Sequence, residues 1–414
     1  MRKPPWPSVP PPIIVRARPW CWPVPNFNGD DMAVTRRQLL GAALAGSASL
    51  MVWPSLALAA SQASPQRLVV VLLRGAVDGL SAVPAPGEKR FAELRGSLDL
   101  RGSGGEDAPL EMADGFALHP SLGFAHGLFR QRQFAVVHAC ALPYRGRSHF
   151  DAQDCLENGS DKPHGSRSGW LNRVVEQWHQ GQGLAIASAQ PLLVRGPAPF
   201  MTWSPTPGKL SPANLAQRLA HSYGRDKRLS GAFEQALEAQ NVAPEKQGGA
   251  GNLLAMMKAA GNFLVEPDGP RVAMVQDTGW DTHANQNAVL ARKLRLLDNG
   301  LKVLRESLGK QWNHTVVLVA TEFGRTVAVN GTRGTDHGTG STVMLAGGGL
   351  KSAGVVGDWP GLNKLRDDRD LMPANDTRAV FKGVLRDHLG LDKKALDNDI
   401  FPGSARVAAL SGLV

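Results

Sequence analysis

The chain has 414 residues, 43 % of them hydrophobic and 20 % charged, enough for one large α/β domain or two small ones once a leader is set aside. Its formal net charge of +10 sits partly in Arg2, Lys3, Arg16, Arg18, Arg36 and Arg37. The remaining Lys and Arg form no block and have few aromatic neighbours, which describes a solvated basic surface and argues against a nucleic-acid interface.

Residues 1–31 carry many Pro and Trp, as in Pro10-Pro11-Pro12 and Trp20-Cys21-Trp22, with no periodicity. They fit no signal, and Met32 lies where a start codon is expected, so 1–31 are expected to be a mis-called upstream extension. Residues 32–60 have the pattern of a twin-arginine signal peptide. Arg36-Arg37 stand directly before an uncharged run from Leu39 to Ala60 that ends in small residues. The competing interpretation is a membrane anchor, but Gly41, Gly46, Ser47, Ser49 and Pro54 make a poor membrane helix. The sequence therefore predicts handling by the Tat translocase, no stable membrane span after cleavage, and a periplasmic or secreted product. Cys140 and Cys155 remain in the mature chain. They would either pair in an oxidising compartment or stay as two buried thiols.

Residues 66–414 are expected to form one domain. Leu68 to Leu73 is short, β-branched and bounded by polar and Gly residues, the pattern of a strand buried on both faces. Residues 95–117 are Gly- and acid-rich and predict a loop. Leu122 to Gln131 predicts a helix, Phe134 to His138 a strand, and Trp170 to Trp178 a helix. Residues 196–250 break the pattern with Pro/Gly segments and two helix-like pieces, Ser211–His221 and Leu229–Gln240, and are expected to be an insertion or cap. Then follow a helix at Asn252 to Phe263, a strand at Val272 to Val275, and a helix at Ala288 to Leu308. Strands at Val316 to Ala320 and Thr342 to Leu345 precede a last helix at Thr377 to Leu389. This alternation predicts an α/β fold with a mostly parallel sheet and helices on both faces.

Ligands bind beyond the carboxyl ends of strands in such a sheet, so the residues after each run carry the functional weight. They are Asp78; Arg145, Arg147, Ser148 and His149; Asp277, Asp281 and His283; Glu322 and Arg325. Asp336 and His337 come just before the fifth run. Each has a structural explanation. Asp78-Gly79 makes an ordinary turn, Ser148 with Asp151 a capping box, and Asp277 or Asp281 a cap for the helix after His283; Glu322 and Arg325 suit an ion pair. Their joint placement at one sheet edge favours function, and such O and N donors suit Zn, Mn, Mg or Ca.

The segments Arg74-Gly75-Ala76-Val77-Asp78-Gly79-Leu80, Arg147-Ser148-His149-Phe150-Asp151, Gly279-Trp280-Asp281-Thr282-His283, Thr321-Glu322-Phe323-Gly324-Arg325-Thr326 and Asp336-His337-Gly338 look like the bacterial family catalogued as domain of unknown function 1501. That family resembles the alkaline-phosphatase/sulfatase superfamily. The resemblance implies an exported, metal-dependent hydrolase of small phosphate or sulfate esters on an alkaline-phosphatase-like fold. It places metal ligands at Asp78, at Asp277 or Asp281 with His283, at Glu322 and at His337, and the nucleophile at Ser148, with Arg145, Arg147 or Arg325 clamping the ester. Phe323 stands where an imidazole is expected, and Asp336 is the residue at hand to replace it. Cys140-Ala141-Leu142-Pro143-Tyr144-Arg145 has one residue too many for the sulfatase aldehyde motif. The alternative is a non-catalytic periplasmic binding or assembly protein on a hydrolase-like scaffold.

Overall fold

The computed structural model describes residues 64–187, 189–205 and 253–414. The expected extension, the signal peptide and both helix-like pieces of the 196–250 segment lie outside the described residues. No helix among the described residues is long and apolar enough to cross a membrane.

In chain order the strands are β1 (Arg67–Leu73), β2 (Leu110–Glu111), β3 (Ala117–Leu118), β4 (Phe134–Ala141), β5 (Gly183–Ile186), β6 (Phe200–Trp203), β7 (Val272–Asp277), β8 (Thr315–Ala320), β9 (Ser341–Ala346), β10 (Gly354–Val356) and β11 (Asn375–Asp376). β2 and β3 make a small antiparallel pair inside the expected loop. The rest form one nine-stranded sheet in the order β10-β4-β9-β8-β1-β7-β5-β6, with β11 also on β4. β6, within the segment expected to be an insertion, is thus an edge strand of the main sheet.

Alternate residues of β1 face opposite sides, as strand geometry requires. Leu68, Val70 and Leu72 pack on one side with Trp170, Leu171 and Val174 of one helix (Trp170–Trp178) and Val380, Phe381 and Val384 of another (Thr377–Leu389). Val69, Val71 and Leu73 pack on the other with the helices Gly123–Arg130, Leu253–Val265 and Gln286–Leu308. Each fully buried Val or Leu contributes about 1.5–3 kcal/mol against exposure, so both faces of the sheet are covered by well-buried helices. The expected class, a mostly parallel α/β sheet with helices on both faces, is what the structure shows.

One strand departs from the parallel pattern, and the departure matters for the site. β9 runs antiparallel to both β4 and β8. Its start therefore lies beside their carboxyl ends. That brings Asp336 and His337, which precede β9, to the same edge as the loops after β1, β4, β7 and β8.

The two thiols are free and buried. Burial pushes Cys155 up to about 12 and Cys140 higher still, so neither is a thiolate nucleophile.

Candidate metal centre

Close backbone packing fixes the edge on which the polar residues stand. Gly75, at φ +120, lies so near the next loop that an added Cβ would be 2.6 Å from the Asp281 amide nitrogen. Only glycine permits that approach. Trp280 N–H donates to the Arg74 carbonyl at 3.2 Å, and Gly338 N–H to the Gly324 carbonyl at 2.8 Å. A short antiparallel bridge joins Arg325 to His337. Thr335 N–H donates to the Thr282 carbonyl at 3.2 Å, and with it the three loops are locked to one another. The helix His149–Asn158 starts in the fourth, its first turn capped by Ser148, whose Oγ accepts from the Asp151 amide at 3.5 Å.

Three imidazoles meet there, each tied at Nδ1. His149 Nδ1 lies 2.7 Å from Glu322 Oε1, His283 Nδ1 3.1 Å from Asp336 Oδ1, and His337 Nδ1 3.1 Å from the Arg147 carbonyl oxygen. Carboxylates and carbonyls only accept, so each Nδ1 carries the hydrogen and each Nε2 offers a lone pair. The Nε2 atoms converge. His337 Nε2 is 3.0 Å from His149 Nε2 and 3.1 Å from His283 Nε2. Asp281 stands among them: its Oδ1 is 3.0 Å from His283 Nε2 and 3.4 Å from His337 Nε2, and its Oδ2 is 3.5 Å from His149 Nε2.

Lone pairs facing one another at such distances repel, and a cation among them would relieve that repulsion. A tetrahedral ion with ligands at about 2.05 Å separates its donor atoms by about 3.3 Å, close to the 3.0–3.5 Å from His337 Nε2 to its two imidazole neighbours and from Asp281 to the three rings. A proton is the other cation that fits. Its hydrogen bond to Glu322 raises His149 above the ordinary imidazole value against the effect of burial, while burial and then the charge of His149 lower His337. One proton bridges only one of the two Nε2···Nε2 contacts. His149, Asp281 and His337 are the group among the described residues whose donor atoms all lie within 4.8 Å of one another; His283 adjoins His337 and Asp281 and is outside that group.

The surrounding groups tune this set. Burial would raise the Glu322 carboxyl, but hydrogen bonds from His149, Gln153 and the Gly75 amide outweigh it and hold it below the carboxylate range. Arg325, buried and bonded to Thr335, pairs with Asp281 Oδ1. Burial would raise Asp281 too, but Arg325 keeps it low and ionised. The hydrogen bond from Asn330, and then that from His283, lower Asp336. The Phe323 ring packs on His149 and His337 at centroid distances of 4.8 and 5.2 Å. It shields one flank of the imidazoles and supplies no donor.

The residues singled out in the sequence thus separate into two groups. Asp281, His283 and His337 meet at the cluster, and Glu322, Asp336 and Arg325 orient or neutralise them. Asp78 and Asp277 do not join. Asp78 caps the short helix Gly79–Ala82 and pairs with buried Arg95 at 2.5 Å; Asp277 pairs with Lys293 and accepts from Trp280 Nε1 at 2.9 Å. Ion pairing takes up their charge, so neither carboxylate is left for a metal. Arg147 is held by Asp370 at 2.6 Å and Asp367 at 3.1 Å, so its guanidinium is not a free clamp. Neither Asp277 nor Asp281 caps the following helix, whose N-cap is Asn285, and Glu322 pairs with His149 rather than Arg325. His149 was not among the expected ligands. Its signal was present in Ser148-His149, an imidazole one residue into the helix after β4, but the cap motif drew the attention to Ser148.

No curated protein matches the chain. Solved structures similar to it include the alkaline phosphatase from the Antarctic bacterium TAB5, at 13 % identity, TM-score 0.35, covering 70 % of this chain and 94 % of that one. The C-terminal periplasmic domain of EcEptC from Escherichia coli, in complex with Zn, is similar at 10 % identity and TM-score 0.32, covering 69 % and 74 %. The lipoteichoic acid synthase LtaP from Listeria monocytogenes is similar at 11 % and 0.36, covering 82 % and 76 %. At scores this low the likeness lends nothing to the chemistry of the site. The sequence match is firmer: residues 136–397, well over half of the chain and including His149, Asp281, His283, Glu322 and His337, match the model of "Protein of unknown function (DUF1501)", and the chain belongs to that family.

Proposed function

We propose that the protein is an exported, metal-dependent hydrolase of phosphate or sulfate esters, with its ion held by His149, Asp281 and His337 and His283 beside them. The observation that carries this is the convergence of three Nδ1-anchored imidazoles on Asp281 at 3.0–3.5 Å. A donor set of imidazoles and one carboxylate fits Zn better than Mg or Ca, which prefer oxygen. The side chains of His283 and Asp281 are 45 % and 40 % exposed. A purely structural zinc site is closed, whereas a catalytic one keeps a side open to solvent and substrate.

A divalent ion in this place supplies Lewis acidity toward an ester oxygen and favours ionisation of a hydroxyl brought to it. The chain supplies the rest. Glu322, Asp336 and the Arg147 carbonyl fix the imidazole tautomers and orientations. Arg325 keeps Asp281 ionised. Ser148, next in sequence to His149 and within hydrogen-bond reach of Tyr144, is the hydroxyl we assign as nucleophile: its Oγ forms the bond to phosphorus or sulfur as the bond to the leaving alcohol breaks, and water then releases the anion. The twin-arginine pattern supports export, since that route carries folded proteins and so allows the ion to be inserted before export.

The loss of Asp78 to Arg95 and of an imidazole to Phe323 supports one ion rather than two, and favours a second interpretation, a metal-dependent binding protein without turnover. Elemental analysis of the mature chain, with assays on phosphomonoester, phosphodiester and sulfate ester substrates with and without chelator, separates the two. Chelator-sensitive hydrolysis that Ser148→Ala abolishes supports the hydrolase with its serine; bound metal without turnover of any substrate supports the binding protein, and neither metal nor turnover removes both.

A further inference from the structure

An arginine-rich corner flanks the metal centre. Arg145 follows β4, and Arg378 opens the helix that follows β11. β4 and β11 run parallel in register at Ala141 and Asp376, which brings the two arginines to the same sheet edge. The loop 366–370 joins them there, because Asp367 and Asp370 hold Arg147. A small cavity lined by Tyr144, Arg145, Arg147, Glu322, Phe323 and Thr339 lies between Arg145 and the Phe323 flank of His149 and His337; Glu322 there is engaged by His149 and Gln153.

The guanidinium groups of the corner are unevenly matched. Arg147 is matched by Asp370, and Arg378 forks Asp376 through Nε and Nη2 at 3.1 and 2.8 Å. Among the described residues Arg145 donates only to the carbonyl of its neighbour Tyr144, at 3.3 Å, and has no carboxylate within ion-pair range. Arg378 is 5 % exposed, yet its Nη1 is buried with no acceptor. Arg366 Nε has no hydrogen bond but pairs with Asp367 Oδ2 at 3.5 Å, and Asp370 Oδ1, also without a hydrogen bond, lies 3.6 Å from Arg369 Nε. Orphaned buried donors are uncommon and costly, at about 1–3 kcal/mol each. The other unbonded guanidinium atoms in the described residues, on Arg95, Arg173 and Arg271, are isolated Nε groups of side chains otherwise fully engaged by protein oxygens. Here an unpaired guanidinium adds to them. Burial, and then the like charge of Arg366, pull Arg145 below its ordinary value, as expected where cations gather without enough anions.

We infer that Arg145 and Arg378 form a second oxyanion site beside the metal centre, which holds a further phosphate, sulfate or carboxylate group of the substrate. The anion site stands on the arginines alone; its assignment to the substrate rests on the hydrolase proposed above. The substrate class is then an ester bearing a second anionic group rather than a simple monoester. Arginine is the side chain suited to such a group, since its planar fork meets two oxygens at once.

Calorimetric titration of inorganic phosphate into the chelator-treated mature chain tests the site without the metal. Binding is expected, and Arg145→Gln, at a partly exposed position compatible with folding, weakens it by about tenfold or more, the effect of one charged hydrogen bond. Arg145→Lys recovers only part of the affinity. No binding to the parent chain, or equal binding by Arg145→Gln, overturns the site. In the metal-loaded chain an alkyl bisphosphate should bind about tenfold more tightly than the alkyl monophosphate of the same length, a preference that Arg145→Gln erases. Equal binding of the two would show a site for free anions and overturn the substrate class. Absence of metal and turnover alongside intact phosphate binding would remove the hydrolase and leave the site standing.

Discussion

Asp78 and Asp281 each follow a strand of the central sheet, each pairs with a buried arginine, and the two have opposite characters. Asp78 and Arg95 are 2 % and 0 % exposed, and Ser81 and Gln286 complete the carboxylate's hydrogen bonds. Burial would raise Asp78, but Arg95 outweighs it and keeps the carboxyl ionised. Nothing is left over for a ligand. Asp281 uses Arg325 only to hold its charge, and turns the rest of its carboxylate to three imidazoles whose Nε2 lone pairs find no donor in one another. A satisfied, buried ion pair is architecture; a half-exposed, converging and unsatisfied set is a site.

The contrast can be broken most forcefully at the buried pair. Asp78→Asn leaves the Arg95 charge uncompensated and should cost about 3–5 kcal/mol in urea denaturation, with metal content per folded chain unchanged. Loss of metal from a chain that stays stable would reverse the two roles. The same pair sets a pH response. The folded Asp78 carboxyl lies below its ordinary 3.8, so its stabilisation is complete above that value and disappears as pH falls through the folded value.

Next in size is the orientation of His149. Glu322→Gln should lower metal affinity about 10–100-fold with little change in global stability, and Asp336→Asn, on the more exposed His283, should lie at the low end of that range. Competition with a chromophoric chelator reads both. A drop in melting temperature with unaltered affinity would make Glu322 a structural residue.

Buried His138 provides a smaller test. It donates from Nε2 to the Val83 carbonyl at 2.9 Å and has its value lowered by burial to about 4 from 6.5. The unfolded chain takes up this proton below 6.5 and the native chain only near 4, so stability falls as pH drops across that window. His138→Gln should flatten that slope in denaturation at stepped pH; an unchanged slope assigns it to other groups, such as His119, also lowered by burial to about 4. The smallest effect is a null one. Cys140 and Cys155 are free, so reductant should leave the melting temperature unchanged, and a reductant-dependent shift would show that they pair.

Much of this fold was visible in the chain. β1, β7 and β8 announce themselves as unbroken apolar runs because both faces of the sheet are covered, and the helices by their periodic apolar stripes. β5, β6, β10 and β11 did not, since two to four residues carry too little pattern to separate a strand from a loop. The reversed direction of β9 leaves no mark in its composition, though it is what carries His337 to the site. Asp281, His283 and His337 were legible as candidates because they cluster after strands. Asp78 and Asp277 carried the same signal and went elsewhere, because their partners Arg95 and Lys293 stand 17 and 16 residues away at positions that show no relation to them in sequence. His149 was hidden by its own neighbour, the capping serine.

The central claim is that His149, His337 and Asp281 hold an ion. Elemental analysis of the mature protein isolated from its own host, beside a His149→Ala/His337→Ala variant with matching circular dichroism, tests it directly. We predict one zinc-class ion per parent chain and none in the folded variant. A parent chain that binds no transition metal even when supplied with zinc, or a variant that keeps its ion, would contradict the account.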